Sequence, residues 1–108
     1  MNINEIIDDF LKESEVDYIA MWEVAEVARD DLNAKTDDEA RRISLELVCK
    51  LHDHGLRPGD YWGGGFGYWS DNGCQAAVDR IEREWVAAGE DPNLGEPIRW
   101  LGRPDKQD

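Results

Sequence analysis

A run of glycines lies among aromatic residues in the segment DYWGGGFGYWSDNG, residues 60–73. Glycine-rich loops bind phosphate when their backbone amides point at the ligand. The dinucleotide-binding fingerprint requires glycine at its first, third and sixth positions, and counting from Gly63 the sixth position is Tyr68. A Walker loop ends in Gly-Lys followed by Ser or Thr, which the segment lacks, and Asp60 and Asp71 would repel phosphate. The segment therefore predicts no phosphate-binding loop.

Cysteine and histidine residues at helical spacing raise the question of a metal. Cys49 and His52 are three positions apart, His54 follows, and Cys74 is remote in the sequence. A zinc site needs a second pair of ligands, and the chain has neither an HExxH motif nor a calcium-binding loop. We therefore predict no metal and no cofactor. Both cysteines are expected to be free thiols in a reducing compartment, with a disulfide as the less favoured alternative.

Carboxylates repeat along the second predicted helix. Glu23, Glu26 and Asp30 lie at positions i, i+3 and i+7, so they share one helix face. The first predicted helix extends this stripe with Asp8, Asp9 and Glu13. Like charges at this spacing are mildly unfavourable for folding, which leaves two interpretations: a surface tuned for solubility, or a docking face for a basic protein.

No pattern in the chain identifies an enzyme. With 25 acidic residues, pairs of carboxylates arise by chance and do not indicate a hydrolase. No serine or cysteine lies in a nucleophile motif. We therefore predict a non-enzymatic protein without catalytic residues.

Half of the chain's ten aromatic residues lie in the glycine-rich segment: Tyr61, Trp62, Phe66, Tyr68 and Trp69. A domain of this size buries two or three of them beneath a loop, so the others are expected to be partly exposed. Exposed Tyr and Trp side chains dominate the binding energy of many interfaces. The segment is interpreted either as an internal plug or as a plug that also contacts a partner.

The chain of 108 residues has a formal net charge of −13. Residues 1–40 contain 13 acidic and 3 basic residues, whereas residues 41–108 contain 12 and 9. Such a field repels phosphate backbones and anionic membranes and attracts cationic proteins. We predict a basic protein partner, no direct nucleic-acid binding and no membrane contact. The sequence has no signal-peptide pattern and no long apolar run, so we expect the protein to be located in the cytoplasm.

Apolar residues at helical spacing predict four helices. The first is capped by Asn2 or Asn4, and the second runs from Val16 to about Leu32. The third begins at a capping box, TDDE at residues 36–39, and ends near Gly55. The fourth ends at Gly89, and its predicted N-cap is Asp71 or Asn72. Two ion pairs are expected on the exposed face of the fourth helix: Asp79 with Arg83, and Arg80 with Glu84.

The last 19 residues contain three prolines and two glycines and cannot form a long helix. Ile98, Trp100 and Leu101 are expected to dock an extended tail onto the core. The predicted fold is an all-α, four-helix bundle-like domain with a long loop between helices 3 and 4, although YWGGGFGYW also suits a short hairpin. Residues 1–103 form the predicted domain, and residues 104–108 are expected to fray.

The segment RIEREWVAAGEDPNLGEPIRWL resembles the C-terminal signature of a group of small acidic bacterial proteins. The matching positions are Trp85, Gly89, Asp91, Pro92, Gly95, Glu96 and Trp100. In size, acidity and helical content the whole chain is similar to immunity proteins of bacterial toxin systems, including those of contact-dependent growth inhibition. That resemblance implies a protein that binds a cognate toxin domain and blocks its active site or its substrate.

The sequence therefore predicts an immunity protein that occludes the substrate groove of a basic toxin, such as a nuclease. In this hypothesis the acidic residues of the first two helices enter the groove and the aromatic segment anchors the complex. One alternative is a small ligand-binding domain or enzyme that uses the aromatic segment as a pocket wall. Another is a DNA mimic that inhibits a DNA-binding enzyme.

Overall fold

A computed structural model describes residues 2–62, 65–69, 72–89 and 100–102. Within them the element order is α1 (Ile3–Glu13), β1 (Ile19–Ala20), α2 (Met21–Asp30), α3 (Asp37–Asp53), β2 (Arg57–Trp62), β3 (Gly65–Tyr68), α4 (Cys74–Ala88) and β4 (Trp100–Gly102). No helix of this described part is long and apolar enough to cross a membrane. The predicted frayed tail, 104–108, and residues 91–96 of the C-terminal signature lie outside the described residues.

The all-α prediction is wrong, because the chain also forms a four-stranded antiparallel sheet in the order β1-β4-β2-β3. Most of the predicted long loop is the hairpin β2–β3, as the hairpin alternative proposed. Its register places Gly59 opposite Tyr68 and Tyr61 opposite Phe66. Aromatic residues at alternate positions favour a strand because they pack well on a pleated surface. The domain is therefore a mixed α and β structure.

A glycine is required at the centre of this sheet. Gly59 pairs with Tyr68 of β3 and with Trp100 of β4. A Cβ atom at this position would lie 2.5 Å from the carbonyl oxygen of Gly67 and 2.6 Å from Cε1 of Phe66. The bare backbone of Gly59 thus leaves room for the Phe66 ring to lie across the hairpin.

The C-terminal segment contributes a central strand where only an extended tail was expected. Leu101 of β4 lies opposite Ile19 of β1 on one side and Pro58 of β2 on the other. Its side chain is buried, which confirms the expected docking of Leu101; Ile98 lies outside the described residues. β4 therefore joins the N-terminal strand to the hairpin.

Three helix ends follow the predicted signals. The Asn2 side chain accepts a hydrogen bond from the Glu5 amide at 2.9 Å, and Thr36 Oγ1 accepts one from the Glu39 amide at 3.1 Å. Gly89, with φ of 77°, ends α4 in the left-handed conformation. Local side-chain chemistry therefore determines these three boundaries.

Two helix starts differ from prediction. α2 begins at Met21 because β1 pairs with β4, and Val16, the predicted start, is 86% exposed. α4 begins after Gly73, with φ of 90°, and not after Asn72; Asp71 lies outside the described residues. In the first case a long-range strand pairing overrides the helical spacing.

The core is built around α3, which packs against the other three helices. Leu47 and Leu51 of α3 are fully buried with Val24 of α2, Ile81 of α4 and Leu101 of β4. The apolar stripes read from the sequence therefore point to one cluster. Because all four helices contribute side chains to this core, it fixes the positions of α1, α2 and α4 around α3.

The prediction of free thiols is wrong. Cys49 of α3 forms a disulfide with Cys74, the first residue of α4, and their Cα atoms are 5.3 Å apart. None of the described cysteines is free. The bond links two helices that the sequence separates by the whole hairpin. The free thiols were predicted from the expected reducing compartment. That argument does not take into account how close α3 and α4 lie in the fold.

Candidate functional site

Eight carboxylates of α1, of the turn that follows it, of α2 and of the residue after α2 are here together called the acidic face. Its members are Asp8, Asp9, Glu13, Asp17, Glu23, Glu26, Asp30 and Asp31. Glu13 and Glu23 are half-buried and the others are exposed. The two helices position these residues because their apolar sides are packed into the core, which leaves the polar sides outward.

A groove runs between α1 and α2 on this acidic face and encloses about 200 Å³. Apolar side chains of Ile6, Phe10 and Val27 line it, together with the carboxylates of three residues: Asp9, Glu13 and Asp31. A groove of this composition can hold an apolar side chain flanked by positive charges.

Glu23 is the most unusual member of the acidic face. Its Oε2 atom is buried from water and has no hydrogen-bond partner among the described residues. The Glu13 side chain lies close enough to share a hydrogen bond with Glu23 when one of the two carries a proton. While both are ionised, neither carboxylate has a hydrogen to donate, so the buried oxygen is left unpaired.

The environment of Glu23 changes its pKa. Burial, followed by the hydrogen bond with Glu13 and the negative charges of Glu13, Asp17 and Glu26, together raise that pKa from the ordinary value of 4.5 to about 8. Near neutral pH this carboxyl is therefore mostly protonated in the isolated protein. A positive charge placed beside it would lower the pKa and release the proton.

No cation of the described ranges forms an ion pair with a member of the acidic face. The ion pairs among the described residues involve carboxylates of α3, β2 and α4, and none of them includes a member of the acidic face. Arg29 of α2, the nearest arginine in sequence, extends to Asp37 at 2.7 Å. The acidic face is thus electrostatically unsatisfied within the described structure.

An aromatic cluster lies next to the turn that follows α1. The ring of Tyr18 stacks on Phe66 with centroids 4.1 Å apart, and Phe66 meets Tyr68 edge to face at 5.0 Å. All three are half-buried. Because Asp17 precedes Tyr18, and its carboxylate accepts a hydrogen bond from the Tyr18 amide at 2.7 Å, the acidic and aromatic residues meet at this turn.

Trp69 is held apart from this cluster. Its indole Nε1 donates to Asp60 Oδ2 at 2.9 Å, and the guanidinium of Arg80 lies 3.8 Å from the ring centroid. Trp69 therefore contacts α4, and its role differs from that of Phe66 and Tyr68. Tyr61 and Trp62 belong to β2, but their side chains lie outside the described residues.

The described residues contain no group of three or more His, Cys, Asp or Glu side chains placed to hold a metal ion. Cys49 and Cys74, the thiol candidates, are consumed by the disulfide. His52 and His54 lie at the C-terminal end of α3, where a histidine also suits the negative end of the helix dipole.

Sequence reasoning selected the acidic stripe but missed the residues that connect it to the aromatic cluster. Asp17 and Tyr18 were treated as part of a helix, although they occupy the turn before β1. The expected ion pair between Arg80 and Glu84 is confirmed at 3.2 Å, whereas Asp79 accepts instead from Gln75 at 2.8 Å. The only sequence signal for this connection is that the acidic Asp17 precedes the aromatic Tyr18. Such a pair does not predict a binding surface unless the fold is known.

Comparison with protein-family models, with curated proteins and with solved structures gives no match to this chain.

Proposed function

We propose that this chain is a non-enzymatic binding protein that neutralises a basic toxin domain, as bacterial immunity proteins do. The observation that supports this proposal most strongly is the buried oxygen of Glu23, which has no hydrogen-bond partner in the described part of the chain and lies near other carboxylates. An arrangement that is unfavourable in the isolated protein is expected where a partner completes it.

A lysine or arginine of the partner would complete the Glu23 cluster. Its charge would be shared among Glu13, Asp17, Glu23 and Glu26 in a partly dehydrated position, where a charged hydrogen bond is stronger than on an open surface. Formation of this contact would drive Glu23 to its ionised form. Binding near neutral pH is therefore expected to release a proton.

The groove between α1 and α2 adds an apolar contact to the electrostatic one. A partner segment with an apolar side chain flanked by basic residues would fill the floor made by Ile6, Phe10 and Val27. Tyr18, Phe66 and Tyr68 lie beyond the turn and offer aromatic anchors of the kind that dominate interfaces. Together these features suit occlusion of a cationic substrate groove.

The test uses the protein that this chain captures from its native host, which the proposal expects to be a basic toxin domain. Glu23→Lys combined with Glu26→Lys should slow association with that domain by about tenfold or more at low salt, because electrostatic steering is lost. Stopped-flow kinetics at several salt concentrations measure the change. Calorimetry in buffers of different ionisation enthalpy measures the expected proton release.

The matched control is Glu46→Lys combined with Asp79→Lys, which changes the net charge equally but lies on α3 and α4. This pair should retain an association rate close to that of the unchanged protein. An equal effect of both pairs would attribute association to overall charge and remove the acidic face from the proposal. An unchanged association rate in Glu23→Lys with Glu26→Lys would also remove the acidic face from the proposal.

The proposed compartment is the cytoplasm. The disulfide between Cys49 and Cys74 counts against it, because reducing thiols keep most cytoplasmic cysteines unpaired. A second candidate function, small-ligand binding, is favoured by a cleft whose lining includes Trp69, Arg80 and Arg83.

A further inference from the structure

A cleft beside Trp69 is lined by basic residues, in contrast to the acidic face. It encloses about 240 Å³ between the end of α3, the start of β2 and one face of α4. The described residues that line it include Arg57, Arg80, Arg83, His52 and Trp69, and none of them is acidic. On a chain with a net charge of −13, a cleft whose described lining contains three arginines and no acidic residue is unusual.

The α4 residues of the cleft come from one helical face. Ala76, Arg80 and Arg83 lie at positions i, i+4 and i+7. None of the ion pairs among the described residues includes Arg83. Its guanidinium therefore retains donors for a ligand.

Two other arginines are held in place by the protein. Arg57 donates from Nη1 to the backbone carbonyls of His52 and Leu56, both at 2.8 Å. Arg80 stacks on Trp69 and pairs with Glu84 at 3.2 Å and with Asp60 at 3.7 Å, so these two carboxylates balance part of its charge and Arg57 and Arg83 supply the remaining positive charge. These contacts fix the guanidinium groups before a ligand arrives, which lowers the entropic cost of binding.

The beginning of α4 adds a second source of positive potential. Ala76 in the first turn lines the cleft, and that turn has no acidic residue. The positive end of the helix dipole favours an anion at this position. The backbone and the arginines therefore act in the same direction.

We propose that this cleft binds an oxyanion of the phosphate type. Arginine forks match the oxygens of phosphate, and the start of a helix favours the same group. The cleft is smaller than the roughly 300–1,000 Å³ of pockets for drug-sized ligands, which favours a small ligand. The Trp69 ring forms one wall. The site shares no residue with the acidic face, so it is independent of the proposed toxin-binding function.

The test is calorimetric titration of the protein with inorganic phosphate at constant ionic strength, with acetate as a second probe. Saturable binding of one phosphate per chain, tighter than that of acetate, is the expected result. Acetate binding more tightly than phosphate would overturn the phosphate assignment. Absence of saturable phosphate binding would overturn the site itself.

Variants locate the binding. Arg83→Gln should weaken phosphate binding about tenfold, as loss of one charged hydrogen bond predicts. The matched control is Arg42→Gln, which removes the same charge from an exposed position of α3 outside the cleft. The affinity of the control should stay unchanged. Equal weakening in both variants would contradict the proposal.

Ala76→Glu provides an independent check, because it places a carboxylate in the cleft while leaving all three arginines intact. Phosphate binding should be abolished. The thermal midpoint should not fall, since an acidic residue in the first turn of a helix is favourable. Phosphate affinity equal to that of the unchanged protein would contradict the proposed location.

Discussion

Glu23 is the residue at which local stability and the proposed function conflict. Its Oε2 atom is buried and finds no hydrogen-bond partner among the residues that the structure describes, and the carboxyl of Glu13 is its neighbour. An apolar or amide side chain would fill the space without this penalty. Under the proposed function, a cation of the partner would stabilise the ionised form of this carboxylate, which the isolated protein disfavours.

The pKa of Glu23 predicts how stability depends on pH. Between its ordinary pKa of 4.5 and about 8 the folded protein holds a proton that the unfolded chain has lost, so this group makes the free energy of unfolding fall as the pH rises. Glu23→Gln removes that dependence, and its amide donates to Glu13 at every pH. The variant should be more stable by about 1 kcal/mol above pH 8 and gain little below pH 4.5.

Urea unfolding of both proteins across this pH range measures the difference. Glu26→Gln is the matched control, because Glu26 is exposed on the same helix. Its stability should stay close to that of the unchanged protein. A gain for Glu23→Gln that does not grow with pH would contradict the role of the buried carboxyl.

At the scale of elements, the link between α3 and α4 is the feature with the largest expected effect on stability. The disulfide between Cys49 and Cys74 closes a segment with a sequence separation of 25, which contains the whole hairpin. Cross-linking restricts the unfolded chain. Replacement of both cysteines by alanine should therefore lower the free energy of unfolding by about 2–4 kcal/mol.

Denaturant unfolding with and without a reducing agent measures this contribution. The reductant should destabilise the unchanged protein and have no effect on the double variant. A protein that is equally stable in both conditions would show that the disulfide does not contribute to folding. The same experiment shows whether α3 and α4 stay folded under reducing conditions.

At the scale of the whole molecule, the charge distribution sets the balance between stability and recognition. Thirteen of the 25 acidic residues lie in positions 1–40, which contain only 3 basic residues. Their mutual repulsion disfavours the compact state, whereas the same field would attract the cationic partner of the proposed function from a distance. The cleft beside Trp69, whose described lining contains three arginines and no acidic residue, is a local exception to this excess of acidic residues.

This self-repulsion makes stability depend on salt. Raising the ionic strength from about 0.01 M to about 1 M shortens the screening length from about 30 Å to about 3 Å, so the thermal midpoint should rise by several degrees. Scanning calorimetry in sodium chloride measures the change. The increase should be smaller in Glu23→Lys with Glu26→Lys, which reduces the negative charge of α2. A midpoint that falls with salt would contradict net repulsion.

The sequence by itself determined the features that depend on neighbouring residues. The caps at Asn2 and Thr36, the end of α4 at Gly89 and the acidic stripe through Glu23 and Glu26 all follow from local spacing. A side chain within one helical turn decides each of them, and that turn has the same geometry in any fold.

Only the tertiary structure decided how remote segments meet. The pairing of β1 with β4, the disulfide, the Tyr18 stack on Phe66 and the basic cleft each join residues from separate elements. Their formation depends on loop closure and on burial of a common core. Periodicity along the chain contains no information on those distances, which explains why both the all-α fold and the free thiols were predicted incorrectly.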